Sequence, residues 1–541
     1  MKMSKDVRIG ASAREGILKG INTVADIVKT TVGPRGRNVI IRNQISKPII
    51  TNDGVTIAKS IQLKDNTEDA GAQLIIDAAN RTNEVAGDGT TTTTILAQNL
   101  INNYFALAND DTNAIQTRNE MLEASEEISD YLKSIATPIQ STADIERVAT
   151  ISSGSNATGK LLAQAFEQAG EYGSVIVEDS KTGKDNLVSI QGMKLTNGSV
   201  SPYIMNDRIN VKSDMVDVSV LITKDKIDSV ADFFKVLDFS VNNGRKLLVI
   251  CDDIEYEPLN MVMMNRAQGR LSNIAIIRLP GFGDLREKLV EDICIATGAT
   301  LLGRDNGITL KDFDPVYLGE LEQVIVTMDD TVLKFKDIAM DGTLLVNERQ
   351  ARVAELEIQM ENAQEDAKTQ YERRIANLMS GISIVQVGGN SDVEIKEKRL
   401  RIEDAINAVQ SAKEEGIVPG GGYSFLMAYM EAMDKSLSFG ASVVYGSLLS
   451  ITKQIAENCG KDGDEVVSAC IDMKQGYNAL TGTYEDLLET GVINSAKVDR
   501  FGLLNATSVA STVITMGGSI VEENEPESNV LQLQAPISAM M

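Results

Sequence analysis

The chain has 541 residues, more than one hydrophobic core usually serves, so two or three domains are expected. Its 77 Asp and Glu outnumber 52 Lys and Arg, giving a formal charge of −25 that opposes attraction to nucleic-acid phosphates or an anionic membrane. Histidine and tryptophan are absent, which excludes Ser–His and Cys–His nucleophile pairs and leaves carboxylates as the best general bases. Cys251, Cys294, Cys459 and Cys470 show no CxxC spacing and read as reduced thiols of a cytoplasmic protein. No apolar h-region follows Met1–Asp6, and no charge-free run is long enough to span a bilayer, so a soluble protein with no membrane partner is expected.

Residues from about Asp6 to Thr31 place Ile17, Ile21, Val24 and Val28 at helical spacing, predicting one amphipathic helix stopped by Gly33-Pro34. Asn38–Ile41 and Pro48–Thr51 are β-branched runs, and Asn52-Asp53-Gly54 reads as a hairpin-type turn with Asp53 at its tip. Thr67-Glu68-Asp69 starts a helix carrying Ala72, Ile75, Ile76 and Ala79 that runs to Gly87. There the chain reads Gly87-Asp88-Gly89-Thr90-Thr91-Thr92-Thr93-Thr94, followed by Ala97, Leu100, Ile101 and Tyr104 at helical spacing. A tight turn opening a helix offers unpaired N–H groups and a positive dipole end to an anion such as phosphate. Asp88 suits Mg2+, a hard cation that accompanies nucleotide triphosphates. The same residues also fit a threonine-rich helix cap with an Asp in a turn, and the lysine of a Walker motif is missing.

A helix from about Gln116 to Ile135 ends near Pro138, and the pattern changes again at Gly192. From Val216 the chain alternates: strand to Thr223, helix with Val230, Phe233, Phe234 and Leu237, strand Lys246–Cys251, helix near Leu259–Ala267, strand Asn273–Leu279. This βαβαβ order predicts a separate α/β domain. A long helical pattern from Val353 to Leu378 reads as a coiled-coil-like arm packed on its own domain. Helices return at Val393–Glu415 and, after Gly420-Gly421-Gly422, continue to about Thr515 before a polar tail with Pro526 and Pro536.

Several stretches together resemble the group I chaperonins of the GroEL type over nearly the whole chain: Thr31–Val39, Asp53-Gly54-Val55, Gly87–Thr92, Ser201-Pro202-Tyr203, Pro280–Asp284, Glu403-Asp404-Ala405, Glu414–Gly422 and Gly476–Ala479. The resemblance implies a multidomain α+β fold. A mainly helical equatorial ATPase domain (1–138 and 416–541) joins a hinge-like intermediate domain (139–191 and 382–415) and an inserted α/β apical domain (192–381). It implies ATP, Mg2+ and K+ as cofactors, non-native polypeptides as clients, a homo-oligomeric ring of seven subunits and a GroES-like co-chaperonin as a candidate partner.

By matching residues, the resemblance puts Asp88 on Mg2+ and Thr31, Val32, Gly33, Pro34, Gly87, Gly89, Thr90, Thr91 and Thr92 around the phosphates, with K+ at Thr31 and Thr91. It puts Gly421, Asn478, Ala479 and Asn494 near base and ribose, and Asp53 and Asp404 about the attacking water, with Asp404 at a helix start. Tyr203, Ile204, Phe234, Leu237, Leu259, Met263 and Met264 match the client-binding surface, where methionine and aromatic groups suit an adaptable apolar groove; read without the resemblance they fit an α/β core better. Pro138 with Gly416 and Gly192 with Gly381 match the lower and upper hinges.

Departures from the family pattern are Asn52 for a lysine, Asn494 for an aspartate near the ribose, Ser199 for an aromatic at the client surface, and Gln532–Pro536 for Gly-Gly-Met repeats. At the contacts between rings Lys453 and Asp462 keep opposite charges, whereas Phe105 stands at a basic position, Asn109 replaces a small residue, and Lys435–Ser442 is shortened. The reading is an ATP-driven folding chaperonin. The alternatives are a Mg2+-dependent phosphohydrolase or kinase, separable by assembly mass, and a passive ring scaffold, separable by single-turnover ATP hydrolysis.

Overall fold

The computed structural model describes residues 5–522 except 43–47, 110, 171–172, 181–182, 208–210, 272, 282, 362, 364 and 380. The expected polar tail and its Gln532–Pro536 departure lie outside the described residues, as does Phe282 of the Pro280–Asp284 stretch. The chain forms two compact units, one from residues 1–162 and 389–541, the other from 163–388.

The first unit opens with strand β1 (Lys5–Ile9) and helix α1 (Ala11–Val28), then strands β2 (Val39–Ile41) and β3 (Ile49–Thr51) as an antiparallel pair. The expected helix from Asp6 therefore begins five residues later, because β1 pairs antiparallel with β17 (Gly518–Glu522) near the other end of the described chain. Helices α2 (Gly54–Lys59), α3 (Asn66–Ala86), α4 (Thr90–Leu107), α5 (Ala114–Ser134) and α6 (Thr142–Ser153) follow, and α7 (Asn156–Ala169) leads out of the unit. Asp65 and Asn113 cap α3 and α5 by accepting from backbone N–H groups, satisfying donors that the helices cannot. Helices α1 and α3 approach so closely that Cβ atoms on Gly20 and Gly71 would strike the carbonyl oxygens of Glu68 and Ile17.

The second unit holds one mixed sheet. Its strands are β4 (Ser174–Asp179), β5 (Asn186–Leu195), β6 (Ser213–Thr223), β7 (Lys246–Cys251), β8 (Ile274–Arg278), β9 (Leu301–Leu302), β10 (Gly319–Val326), β11 (Thr331–Phe335) and β12 (Gly381–Val387). They run in the order β4-β12-β5-β11-β10-β6-β7-β8, with β9 beside β6. Helices α8 (Val230–Asn242) and α9 (Tyr256–Ala267) connect β6, β7 and β8, which are parallel, so the expected βαβαβ segment is present. Helix α10 (Gly283–Thr297) precedes α11 (Leu345–Glu361) and α12 (Glu365–Met379). The single long helix expected from Val353 to Leu378 is thus two helices, which contribute Val353, Leu356 and Leu378 to the core over the sheet.

The chain re-enters the first unit as α13 (Asp392–Glu415), β13 (Ile417–Pro419), α14 (Tyr423–Ala432), α15 (Phe439–Ser447), α16 (Ser450–Asn458) and α17 (Gly463–Met473). A hairpin of β14 (Gly476–Asn478) and β15 (Thr483–Glu485), the short α18 (Leu487–Thr490), β16 (Ile493–Ser495) and α19 (Ala496–Ile514) complete it. One core joins both legs: Ile21, Ile75, Leu96, Ile101 and Met121 pack with Phe425, Val444, Leu503 and Ala510. Burying each large side chain contributes roughly 1.5–3 kcal/mol, so neither leg retains its stability without the other. Among the described residues no helix is long and apolar enough to cross a membrane.

Candidate functional site

The glycine turn lies between α3 and α4. Gly87 ends α3 at φ 69°, and Gly89 precedes α4 at φ 86°, both in the left-handed region that a side chain disfavours. No side chain caps α4. Two of the five threonines are structural: Thr93 donates to the Gly89 carbonyl and the Thr82 hydroxyl, each at 3.0 Å, and Thr94 to the Thr90 carbonyl at 2.9 Å. Thr90, Thr91 and Thr92 remain at the uncapped first turn, where N–H groups, hydroxyls and the dipole suit an anion. Opposite them lies Gly54, on which a Cβ would sit 2.7 and 2.8 Å from the Thr91 and Thr90 hydroxyl oxygens.

Three carboxylates gather at this turn. Asp53 is the N-cap of α2, accepting from Val55 N–H at 3.0 Å and Thr56 N–H at 2.9 Å, so the expected hairpin tip is a helix cap. Asp88 accepts from Gly89 N–H at 2.6 Å and the Ser152 hydroxyl at 2.8 Å. Loss of water raises its carboxyl, the Gly89 and Ser152 bonds oppose that, and Asp53 adds repulsion. Asp404 lies in the middle of α13, not at a helix start as expected. Asn407 and Ser411 on the same face anchor the helix by donating to the carbonyls of Gly87 at 3.4 Å and Ala86 at 2.7 Å. Burial holds the Asp404 carboxyl well above its usual range, and Asp88, Asp53 and Glu403 push the same way. A carboxyl raised by its surroundings is matched to taking a proton near neutrality.

Although Asp53, Asp88 and Asp404 influence one another, no three metal-ligating side chains among the described residues are close enough together to hold one metal ion by themselves. One carboxylate completed by phosphate oxygens and water is, however, the ordinary protein share of a Mg2+ site. The donor set fits that ion. Asp88 is a hard oxygen ligand in a mutually repelling acidic cluster, and no described Lys or Arg pairs with it or with Asp404.

Other expected site residues line neighbouring turns. Thr31 closes a helical turn by donating to the Val28 carbonyl at 2.8 Å, and Gly33 accepts from Gly36 N–H at 2.9 Å just before Pro34. Asn458, which the sequence reading missed, clamps this turn by donating to the Lys29 and Val32 carbonyls, each at 2.9 Å. Gly421 accepts from Thr452 at 3.0 Å, Asn478 donates to Glu485 at 2.7 Å, and the Ala479 carbonyl faces the Cys459 thiol at 3.7 Å. Asn494 lies on β16 and bonds Asp499, a second missed residue. Ser152, Asn407 and Ser411 also escaped sequence reading, since nothing in their local pattern marks them. All four cysteines are free, as expected.

In the second unit Tyr203, Phe234 and Met264 are 72%, 53% and 53% exposed, and Leu259 and Met263 are half-buried. Ile204 and Leu237 are 0% and 5% exposed and belong to the core beneath α8 and α9. Ser199 is buried too, its hydroxyl on the Ser201 carbonyl. Both expected hinge pairs are brought together in space. Thr137, beside Pro138, exchanges backbone bonds with Ile417, beside Gly416. Gln191, next to Gly192, registers with Gly381.

The chain thus combines a mainly helical unit assembled from both of its legs with an α/β unit inserted between them in sequence, and an acidic cluster beside an uncapped helix start suits a metal-bound phosphate. Residues 24–524 match the TCP-1/cpn60 chaperonin family. The chain is 36% identical to the chaperonin GroEL of Acholeplasma laidlawii (strain PG-8A) over 538 residues, covering 98% of this chain and 99% of that protein. Among solved structures it is similar to the chaperonin gp146 from the bacteriophage EL 2 (Pseudomonas aeruginosa) in the presence of ATP-BeFx. In one crystal form the TM-score is 0.72, with 20% identity and 96% and 99% of the two chains covered. A second crystal form gives a TM-score of 0.63 at the same identity. The chain belongs to the TCP-1/cpn60 chaperonin family. It is an ATP-dependent protein-folding chaperonin, an ATPase that uses Mg2+, assembles into oligomeric rings and acts on client polypeptides. An unrelated phosphohydrolase or kinase is not favoured, because the match runs through both units.

Proposed function

We propose that the α4 turn is the ATP site and assign its parts. Asp88 holds Mg2+, which when bound offsets phosphate charge and polarises the phosphoryl group. Thr31, Val32, Gly33, Pro34, Gly87, Gly89, Thr90, Thr91 and Thr92 surround the phosphates, and oxygens of Thr31 and Thr91 take K+. Gly421, Asn478, Ala479 and Asn494 hold base and ribose. Asp53 orients the attacking water and Asp404 takes its proton. The observation that carries this reading is the uncapped first turn of α4 beside Asp88 and Asp404, an anion site next to acids that repel one another. Titrating the ring with ATP by calorimetry tests it, with and without Mg2+ and with K+ exchanged for Na+. Binding that is indifferent to Mg2+ overturns the assignment of Asp88.

Residues 192–381 act as the client-binding domain, through Tyr203, Phe234, Met264 and the half-buried Leu259 and Met263. The flanking stretches 139–191 and 382–415 are the moving intermediate domain, with 1–138 and 416–541 as the ATPase domain. Pro138–Gly416 and Gly192–Gly381 serve as hinges, and rings contain seven subunits that accept a GroES-like co-chaperonin in the cytoplasm. Single rings form at least during the ATP cycle. Two observations support that reading: Phe105 is engaged within its own subunit by Arg14, 4.8 Å from the ring, and Lys453 pairs with Asp464 while Asp462 caps α17. Analytical ultracentrifugation with and without ATP decides it, and a double ring under every nucleotide condition refutes it.

A further inference from the structure

Asp499 is a buried carboxylate that no Lys or Arg among the described residues pairs with. It is 3% exposed in the first turns of α19. One carboxylate oxygen accepts from the Asn494 side-chain amide at 2.5 Å and the other from the Ser424 hydroxyl at 2.7 Å. These partners come from separate segments: Asn494 lies on β16, which registers with Val418 of β13, and Ser424 follows Gly420-Gly421-Gly422 in α14. A third segment meets the same helix start, since a Cβ on Gly89 would come 2.5 Å from Val498, the neighbour of Asp499. One side chain thus ties the glycine loop before α14 to β16, on the helix whose start packs against the turn before α4. Burial pushes its carboxyl up to about 7 against the pull of Ser424 and Asn494, with Asp88 adding repulsion.

Burying an acid without a cation is unfavourable unless its oxygens are hydrogen-bonded, and here both are. The Asn494 amide oxygen accepts from the Ser495 N–H at 3.0 Å, so the orientation of the amide is fixed at both ends. We infer that Asp499 is the positioning residue of the nucleotide site, locking the Asn494 amide and the Gly420–Ser424 loop so that ATP affinity requires one carboxylate, and only one, between positions 494 and 499. This rests on the site assignment proposed above.

The test is an exchange of the two side chains in the full ring. In Asn494→Asp two carboxylates face each other where a donor met an acceptor, and ATP affinity measured by calorimetry is expected to weaken roughly tenfold or more. In the double variant Asn494→Asp with Asp499→Asn the donor and acceptor are restored in reverse, and affinity is expected to return to within about threefold of the parent. The loss in the single variant should fall on KM rather than on the hydrolysis rate at saturating ATP, and be relieved as pH falls and one carboxyl takes a proton. Asp499→Leu, which strips both partners, should weaken binding at least as much; should it not assemble, the exchange pair decides. The inference is overturned if Asn494→Asp binds ATP as tightly as the parent, or if a folded exchange variant binds no better than Asn494→Asp. Failure of the parent ring itself to bind ATP overturns instead the site assignment beneath it.

Discussion

Buried acids are treated differently in the two units. In the unit of residues 163–388, Asp292 is 0% exposed and is gripped by Arg374 through two bonds of 2.7 and 2.9 Å and by Arg352 at 3.0 Å. In the other unit Asp88, Asp404 and Asp499 lose water with no basic side chain among the described residues to replace it, and each is raised by that loss. A paired buried acid is part of the architecture, because its charge is already answered. An unpaired cluster is poised for a cation or a proton from elsewhere, which is what a hydrolytic site needs. Both units expose large apolar side chains, but in the unit with the answered acid Tyr203, Phe234 and Met264 are the exposed ones that match the expected client surface.

Breaking the paired acid should have the largest effect. Asp292→Ala leaves the buried Arg374 guanidinium without its carboxylate, while Arg352 keeps Glu355 and Glu291, and is expected to destabilise the α/β unit by about 3–5 kcal/mol. Limited proteolysis read by mass spectrometry should show early cutting within 163–388; an unchanged pattern would contradict the contrast. Next comes Asp404→Ala, expected to slow hydrolysis by about 10²-fold or more while ATP still binds, since a positioned base supplies that much. Single-turnover hydrolysis near the parent rate would remove Asp404 from the chemistry. Because this acid is unpaired, its loss should not lower the thermal midpoint of the nucleotide-free ring.

For the apolar surface the informative change is Phe234→Glu with Met264→Glu, expected to weaken capture of an unfolded client by roughly tenfold or more with ATPase activity kept. Retained suppression of client aggregation would refute the surface. A charge at Leu237 is the wrong test, because that residue is core and the unit itself would suffer. Asn52→Lys supplies a cation next to Asp53 and should tighten ATP binding several-fold, the gain fading with salt; equal affinity at low salt would count against it.

The smallest effect is on pH. Asp499, at about 7 in the fold against 3.8 unfolded, keeps its proton over a range where the unfolded chain has released it. Stability should therefore fall as pH rises from about 4 to about 7 and level off above, with the raised Asp88 and Asp404 adding in the same sense. Thermal midpoints of the nucleotide-free ring between pH 5 and 8 check this; a slope of the opposite sign would mean that these acids acquire a cation in the assembled ring.

The sequence by itself determined what depends on neighbours along the chain. Helices α3 and α4 and the glycine turn between them followed from spacing and from Gly87 and Gly89, and the alternation from Val216 to Leu279 gave the β6–β8 segment. The family motifs marked Asp53, Asp88 and Asp404 without showing what surrounds them. Only tertiary structure decided the rest. Strand β1 has its partner more than 500 residues away, and its short alternation looked like the start of a helix until β17 lay beside it. Asp404 reaches the glycine turn because Asn407 and Ser411 dock α13 on the end of α3, a contact with no local signature. Apolar type likewise did not separate Phe234, which faces outward, from Leu237, three residues on and buried. Which acid is answered by an arginine and which is left for a ligand depends on packing between distant segments, because desolvation and Coulomb energy are set by distance in space rather than along the chain.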